Sequence, residues 1–201
     1  MDLFELKSKV EEDLDKQVIK PSVLLSSFRM VTEASRSSIA YIDPNNLPFF
    51  YHLGKYLTPT SLLEVGFDLG LRSGCFFKSC KTVKNFVAID FKKENCSQRL
   101  AIKNIKDVYK RSFKFIITPI DKLTNIDGNF DLVFMNYHLQ YDEYRNIFDR
   151  LFDLLKLDGI IIVGYIESNN LCRDAFSAFC KIRNRKFVPI RLRYGAGMVQ
   201  R

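Results

Sequence analysis

From residue 61 onward the chain alternates between short apolar runs and amphipathic stretches, and this alternation restricts the fold more than any other feature. Ser61-Leu-Leu-Glu-Val-Gly is the first run and ends at a glycine; Phe86-Val-Ala-Ile-Asp is the second and ends at an acid. Lys114-Phe-Ile-Ile-Thr, Phe130-Asp-Leu-Val-Phe-Met-Asn and Gly159-Ile-Ile-Ile-Val-Gly follow. Helical patterns lie between most of them. The clearest, over Tyr141–Lys156, puts Tyr144, Ile147, Phe148, Leu151, Phe152 and Leu155 on one face, and another covers Leu171–Arg183. The interval between the third and fourth runs is short for a full helix. Apolar strands separated by helices belong to a parallel sheet covered on both faces. The tail differs: Arg185–Leu192 and Gly197–Gln200 read as two strands joined by a Tyr-Gly-Ala turn. The expectation is one doubly wound α/β domain, with a seven-stranded, mostly parallel sheet closed by an antiparallel C-terminal hairpin.

Ahead of the sheet, Leu6, Val10, Leu14 and Val18 recur every four positions among acids and lysines, the stripe of an amphipathic helix ended by Pro21. A second helix is expected over Ser22–Ala34 and a short one over Phe49–Tyr56, with Pro44 and Pro48 interrupting. Residues 1–46 read as a helical lid or homodimer contact, and 47–201 as the α/β domain. A length of 201 residues with 47% hydrophobic content suits one core. The 31 basic and 23 acidic residues leave a net charge of +8. That surplus permits an acidic partner such as nucleic acid, although its spread along the chain fits a solvated surface. Five cysteines without a CxxC pair or zinc spacing suggest reduced thiols in a cytoplasmic protein. No run approaches the roughly 20 apolar residues of a membrane span, so no membrane partner is expected.

The segment that carries chemistry is Leu62-Leu-Glu-Val-Gly-Phe-Asp-Leu-Gly-Leu-Arg-Ser-Gly74, in which a strand ends, a tight loop follows and a helix begins near Gly70. Glycines let the backbone approach a ligand, and the helix start offers free N–H groups. The spacing Gly66-x-x-x-Gly70 departs from the GxGxxG fingerprint of a pyrophosphate nest, and the acid Glu64 at the strand end suits a cationic ligand. A nicotinamide-dependent dehydrogenase is disfavoured by the glycine spacing and by the C-terminal hairpin.

Glu64-Val-Gly-x-x-x-Gly resembles the first motif of class I S-adenosylmethionine-dependent methyltransferases, in the ExGxxxG form common among small-molecule O-methyltransferases. Val87-Ala-Ile-Asp90 is similar to the second strand, whose terminal acid holds the cofactor ribose. Phe130–Asn136, Leu154-Leu-Lys-Leu-Asp-Gly-Ile-Ile-Ile-Val and Gly195-Ala-Gly-Met-Val resemble the fourth, fifth and last strands, in order over residues 47–201. The resemblance implies a Rossmann-like fold, S-adenosylmethionine as cofactor with S-adenosylhomocysteine as product, and a hydroxylated small-molecule substrate. It assigns Glu64, Gly66, Phe67, Gly70, Asp90 and Phe91 to the cofactor.

Where relatives place an aspartate at the end of strand four, this chain has Asn136. An amide is a poor Mg²⁺ ligand without carboxylates and takes no proton, so no metal is expected, and His138 becomes the candidate base. Asn136 and His138 are the two candidate catalytic residues. Glu167 is the nearest alternative metal ligand, and Tyr41, Phe50 and His52 are candidates to line the substrate pocket. Arg72 is bulky and cationic in a loop meant for a cationic sulfonium, which leaves open a non-catalytic binding or scaffold role.

Overall fold

A computed structural model describes the chain outside residues 29–42, 92–95, 120–121 and 124–125. Two N-terminal helices, α1 (Leu3–Asp15) and α2 (Pro21–Leu25), lead to a 3-10 turn at Pro44–Asn46 and α3 (Leu47–Tyr56). Then come β1 (Ser61–Val65), α4 (Leu71–Ser79), β2 (Asn85–Asp90), α5 (Cys96–Val108), β3 (Lys114–Ile117) and β4 (Phe130–Met135). The chain closes with α6 (Tyr141–Asp153), β5 (Leu155–Gly164), α7 (Asn170–Ile182), β6 (Val188–Ile190) and β7 (Ala196–Gln200). The Asp2 carboxylate caps α1 by accepting from the Phe4 and Glu5 amides at 2.8 Å. At the start of α6, the Glu143 carboxylate accepts from the Gln140 amide at 2.8 Å.

The seven strands form one sheet in the order β3-β2-β1-β4-β5-β7-β6. Neighbours from β3 to β5 are parallel, and β7 runs antiparallel to both β5 and β6. The expected doubly wound sheet with its reversed hairpin is the observed one. Alternate residues of each strand face opposite layers. Leu62, Ala88, Leu132, Phe134 and Ile162 pack under α1, α3, α4 and α5, while Leu63, Val65, Ile89, Val133 and Ile161 pack under α6 and α7. Because the chain winds outward from β1 to β3 and returns to β4 on β1's other side, a crevice opens at the carboxyl ends of β1 and β4. In this architecture ligands bind at that reversal.

Several boundaries differ from expectation. Helix α6 stops at Asp153 and β5 starts at Leu155, four residues before Gly159. Leu155 pairs with Phe130, and the register shift before Leu132 is taken up near Asp158, whose φ is 66°. Helix α1 begins and ends three residues earlier than the Leu6–Val18 stripe. The second expected helix is observed as α2 over Pro21–Leu25; its remainder from 29 to 34 lies outside the described residues, as does Tyr41. Cys75, Cys80, Cys172 and Cys180 are buried free thiols. No helix among the described residues is long and apolar enough to cross a membrane.

Candidate cofactor and substrate site

The ends of three strands are spliced by two amides: Gly66 donates to the Ile89 carbonyl and Asn136 to the Val65 carbonyl, both at 2.9 Å. Gly66 has φ +81°, and a Cβ there would collide with the Asn136 carbonyl oxygen. This position needs glycine for both reasons. Gly70, at φ +67°, caps the start of α4. Left-handed backbone recurs in the other loops at this end, at Asp68 (φ 50°), Tyr165 (φ 62°) and Tyr194 (φ 73°). Such conformations in non-glycine residues gather where a site constrains the chain.

Glu64 is fully buried in β1. Arg72, from the first turn of α4, donates from Nε to Glu64 Oε1 at 2.8 Å and from Nη2 to the Gly66 carbonyl. Ser73 Oγ donates to the other carboxylate oxygen. Burial pushes the Glu64 carboxyl above its usual range, against the opposing pull of Arg72 and Ser73. Arg72 is itself only 4% exposed. The guanidinium thus points inward, and Glu64 faces it rather than open space.

At the end of β2, the buried Asp90 accepts from the Phe91 amide at 2.8 Å and, more weakly, from the Asp68 amide at 3.4 Å. Its carboxylate therefore spans from its own strand end to the β1–α4 loop. The Phe91 ring meets Tyr137 edge-on, with centroids 4.7 Å apart. These two rings and Asp90 suit an adenosine unit. Phe67 does not join them: its side chain is fully buried, with its ring 5.4 Å from Phe115 and 6.1 Å from Phe86. Its backbone is the part that can face a ligand. The cause is local, since the turn after Gly66 sends the next side chain into the core.

A cleft of about 30 Å³ lies at the ends of β4 and β5, walled by Phe50, Arg72, Asn136, Tyr165, Gly164 and Arg193. It has room for a few waters at most. Asn136 lies over Gly164 here. Phe50 reaches this cleft as expected; His52 does not. His52 is fully buried on α3, with Nδ1 3.1 Å from Asp13 Oδ2, and faces a separate cavity of about 390 Å³ between α1 and the β6–β7 turn. Burial holds its pKa below the ordinary value, outweighing the Asp13 carboxylate.

His138 is exposed after β4, its ring 5.0 Å from that of Tyr165, which in turn lies 5.8 Å from Tyr194. Its proton can be located. Asn169 Oδ1 caps α7 by accepting from the Cys172 amide at 3.2 Å, so Asn169 turns Nδ2 toward the Tyr144 hydroxyl (3.1 Å) and His138 Nδ1 (3.3 Å). Tyr144 spends its hydroxyl proton on the Tyr137 carbonyl at 2.8 Å, which fixes it as acceptor from Asn169. In the neutral ring, Nδ1 therefore accepts and Nε2 carries the hydrogen. His138 offers a donor where a base was expected. Among the described residues no three His, Cys, Asp or Glu side chains are grouped to hold a metal ion; Glu167 is exposed beside Gly195. Tyr165, Tyr194 and Arg193 were missed in the sequence, where only the Tyr-Gly pair at 194–195 hinted at a strained turn.

Residues 67–163 match the methyltransferase-domain family. That stretch, just under half of the chain, is similar to a methyltransferase domain. Solved structures agree in fold. An O-methyltransferase from Bacillus cereus, in complex with S-adenosylhomocysteine, is 13% identical with a TM-score of 0.67 over 100% of both chains. The S-adenosylhomocysteine-bound methyltransferase PaMTH1 of Podospora anserina is 15% identical with a TM-score of 0.65, over 94% of this chain and 95% of that one. No curated protein matches the sequence. The residues present fit the family's cofactor unevenly. Asp90, Phe91 and the Gly66–Gly70 loop fit its adenosine end, whereas Arg72 occupies the acceptors at the end of β1.

Proposed function

We propose that the protein methylates an oxygen of a small aromatic hydroxy compound, with S-adenosylmethionine as donor. The observation that carries this reading is the meeting of the left-handed Gly66–Gly70 loop with Asp90 at the β1/β4 reversal. The cofactor supplies an activated methyl group, and the protein's task is alignment. The Asp90 carboxylate accepts from ribose hydroxyls, the loop backbone passes beside the ligand, and Phe91 with Tyr137 flanks the base. On the substrate side, the rings of His138, Tyr165 and Tyr194 offer a surface for an aromatic ring. With Nε2–H exposed, His138 donates a hydrogen bond to a substrate oxygen, which favours an acidic, phenol-type hydroxyl that ionises without a strong base. Asn136, buried at the cleft, is proposed as a positioning amide.

The inward Arg72 favours a second reading, a methyltransferase-like scaffold whose partners include nucleic acid or a second copy of the chain. Calorimetric titration with S-adenosylhomocysteine separates the two. Binding weakened at least tenfold by Asp90→Ala, followed by methyl transfer to a panel of phenols, supports the enzyme. A folded protein that binds neither S-adenosylhomocysteine nor S-adenosylmethionine overturns it.

A further inference from the structure

The Glu64 carboxylate and the Gly66 carbonyl form a pair of strong acceptors at the carboxyl end of β1, one strand away from Asp90. An adenosine ligand anchored on Asp90 that also carries an amino acid has one group matched to such a pair, its ammonium. Arg72 already fills both acceptors, with Nε on Glu64 and Nη2 on Gly66. Ser73 takes the remaining carboxylate oxygen, and the adjoining cleft of about 30 Å³ has no space for an amino-acid group beside the guanidinium. A second cation brought next to Arg72 in a buried setting is repelled by it.

We propose that Arg72 is an internal plug of the amino-acid subsite, an intramolecular cation that competes with the ligand's ammonium and sets the protein's preference among adenosine ligands. This inference rests on the cofactor reading above. It makes the ligand's amino-acid end nearly worthless for affinity as long as Arg72 holds the acceptors. Ligands reduced to nucleoside and sulfur bind about as well as complete ones, and removing the guanidinium restores the difference.

The test compares S-adenosylhomocysteine with 5′-methylthioadenosine, which keeps the nucleoside and the sulfur but has no amino acid. Affinities are measured by calorimetry for the wild type, Arg72→Ala and, should the unpaired Glu64 impair folding, the double variant Glu64→Gln/Arg72→Ala, whose amide oxygen still accepts from an ammonium. The expected result is a wild-type preference for S-adenosylhomocysteine of less than tenfold. In the variant, S-adenosylhomocysteine binds at least tenfold tighter, while 5′-methylthioadenosine changes by less than threefold and so certifies an intact nucleoside site. Unchanged or weakened S-adenosylhomocysteine binding in the variant, with 5′-methylthioadenosine still bound, overturns the plug and leaves the cofactor reading standing. Failure of every folded form to bind either ligand overturns both.

Discussion

Replacing Asp131 by asparagine is expected to weaken the fold in a pH-dependent way while leaving ligand binding untouched. Asp131 stands near the start of β4, at the end of the sheet opposite the site. Its Oδ2 accepts from the Thr60 amide and hydroxyl, both at 2.7 Å, and from the Ser61 amide at 2.8 Å and hydroxyl at 2.9 Å. Lys156 Nζ lies 2.9 Å from Oδ1. One carboxylate thus ties the starts of β1, β4 and β5 together. Partial burial alone would raise its pKa, but the donors from Lys156, Thr60 and Ser61 together outweigh it and bring the value from 3.8 to about 2. A folded-state pKa below the unfolded one stabilises the protein above the unfolded value, and the contribution is lost as the pH falls through the folded one. At about 1.4 kcal/mol per tenfold change in proton affinity, that difference corresponds to about 2 kcal/mol. With the side chain 28% exposed, solvent screening leaves roughly 1–2 kcal/mol. Denaturant unfolding at pH 7 should show Asp131→Asn less stable by that amount. The gap should narrow as the pH drops below about 4 and close near 2. A gap that stays constant from pH 7 to pH 3, or one below about 0.5 kcal/mol at pH 7, would refute the electrostatic reasoning.

Gly66→Ala should cost more than about 2 kcal/mol, because left-handed strain adds to collision with a backbone carbonyl, whereas Gly70→Ala should cost less, about 1–2 kcal/mol, because its strain adds only to tight contacts with the Phe67 and Ile105 side chains; thermal unfolding of the two variants checks the ranking. Stability should decline as the pH falls below about 6.5, since the unfolded chain protonates His52 before the folded one does; His52→Asn should flatten that slope between pH 7.5 and 5, and an unaltered slope would place its origin elsewhere. With Nε2 as a donor, His138→Gln should lower kcat by less than about tenfold, and a loss of a hundredfold or more would restore the general-base role. On a phenol substrate, the rate of the wild type should follow ionisation of the substrate hydroxyl rather than of an imidazole, as a pH–rate profile on two phenols of different acidity would reveal.

The strands were legible because each is a run of apolar residues that only a sheet covered on both faces can bury. β5 was read four residues short because Leu155-Lys-Leu-Asp completes the apolar face of α6 in sequence, while in space Leu155 finds Phe130 as its strand partner. Gly66, Gly70 and Asp90 could be placed from residue type and spacing, since backbone conformation and strand ends are local properties. The direction of a side chain is not. The ring of Phe67 joins the core because Phe86, Phe113 and Phe115 wait there. The proton of His138 is set by Asn169, 31 residues away, whose own orientation is imposed by the cap of α7 and the hydroxyl of Tyr144. Arg72 carries the argument furthest. Its charge was visible as an anomaly in a loop meant for a cation, but two outcomes were compatible with the sequence, a guanidinium turned outward to greet a carboxylate or one turned inward. The buried Glu64 decides between them. An isolated carboxylate at that depth costs several kcal/mol, and the cation that compensates it is Arg72, 2.8 Å away. The buried acid at the end of β1 therefore draws the guanidinium inward.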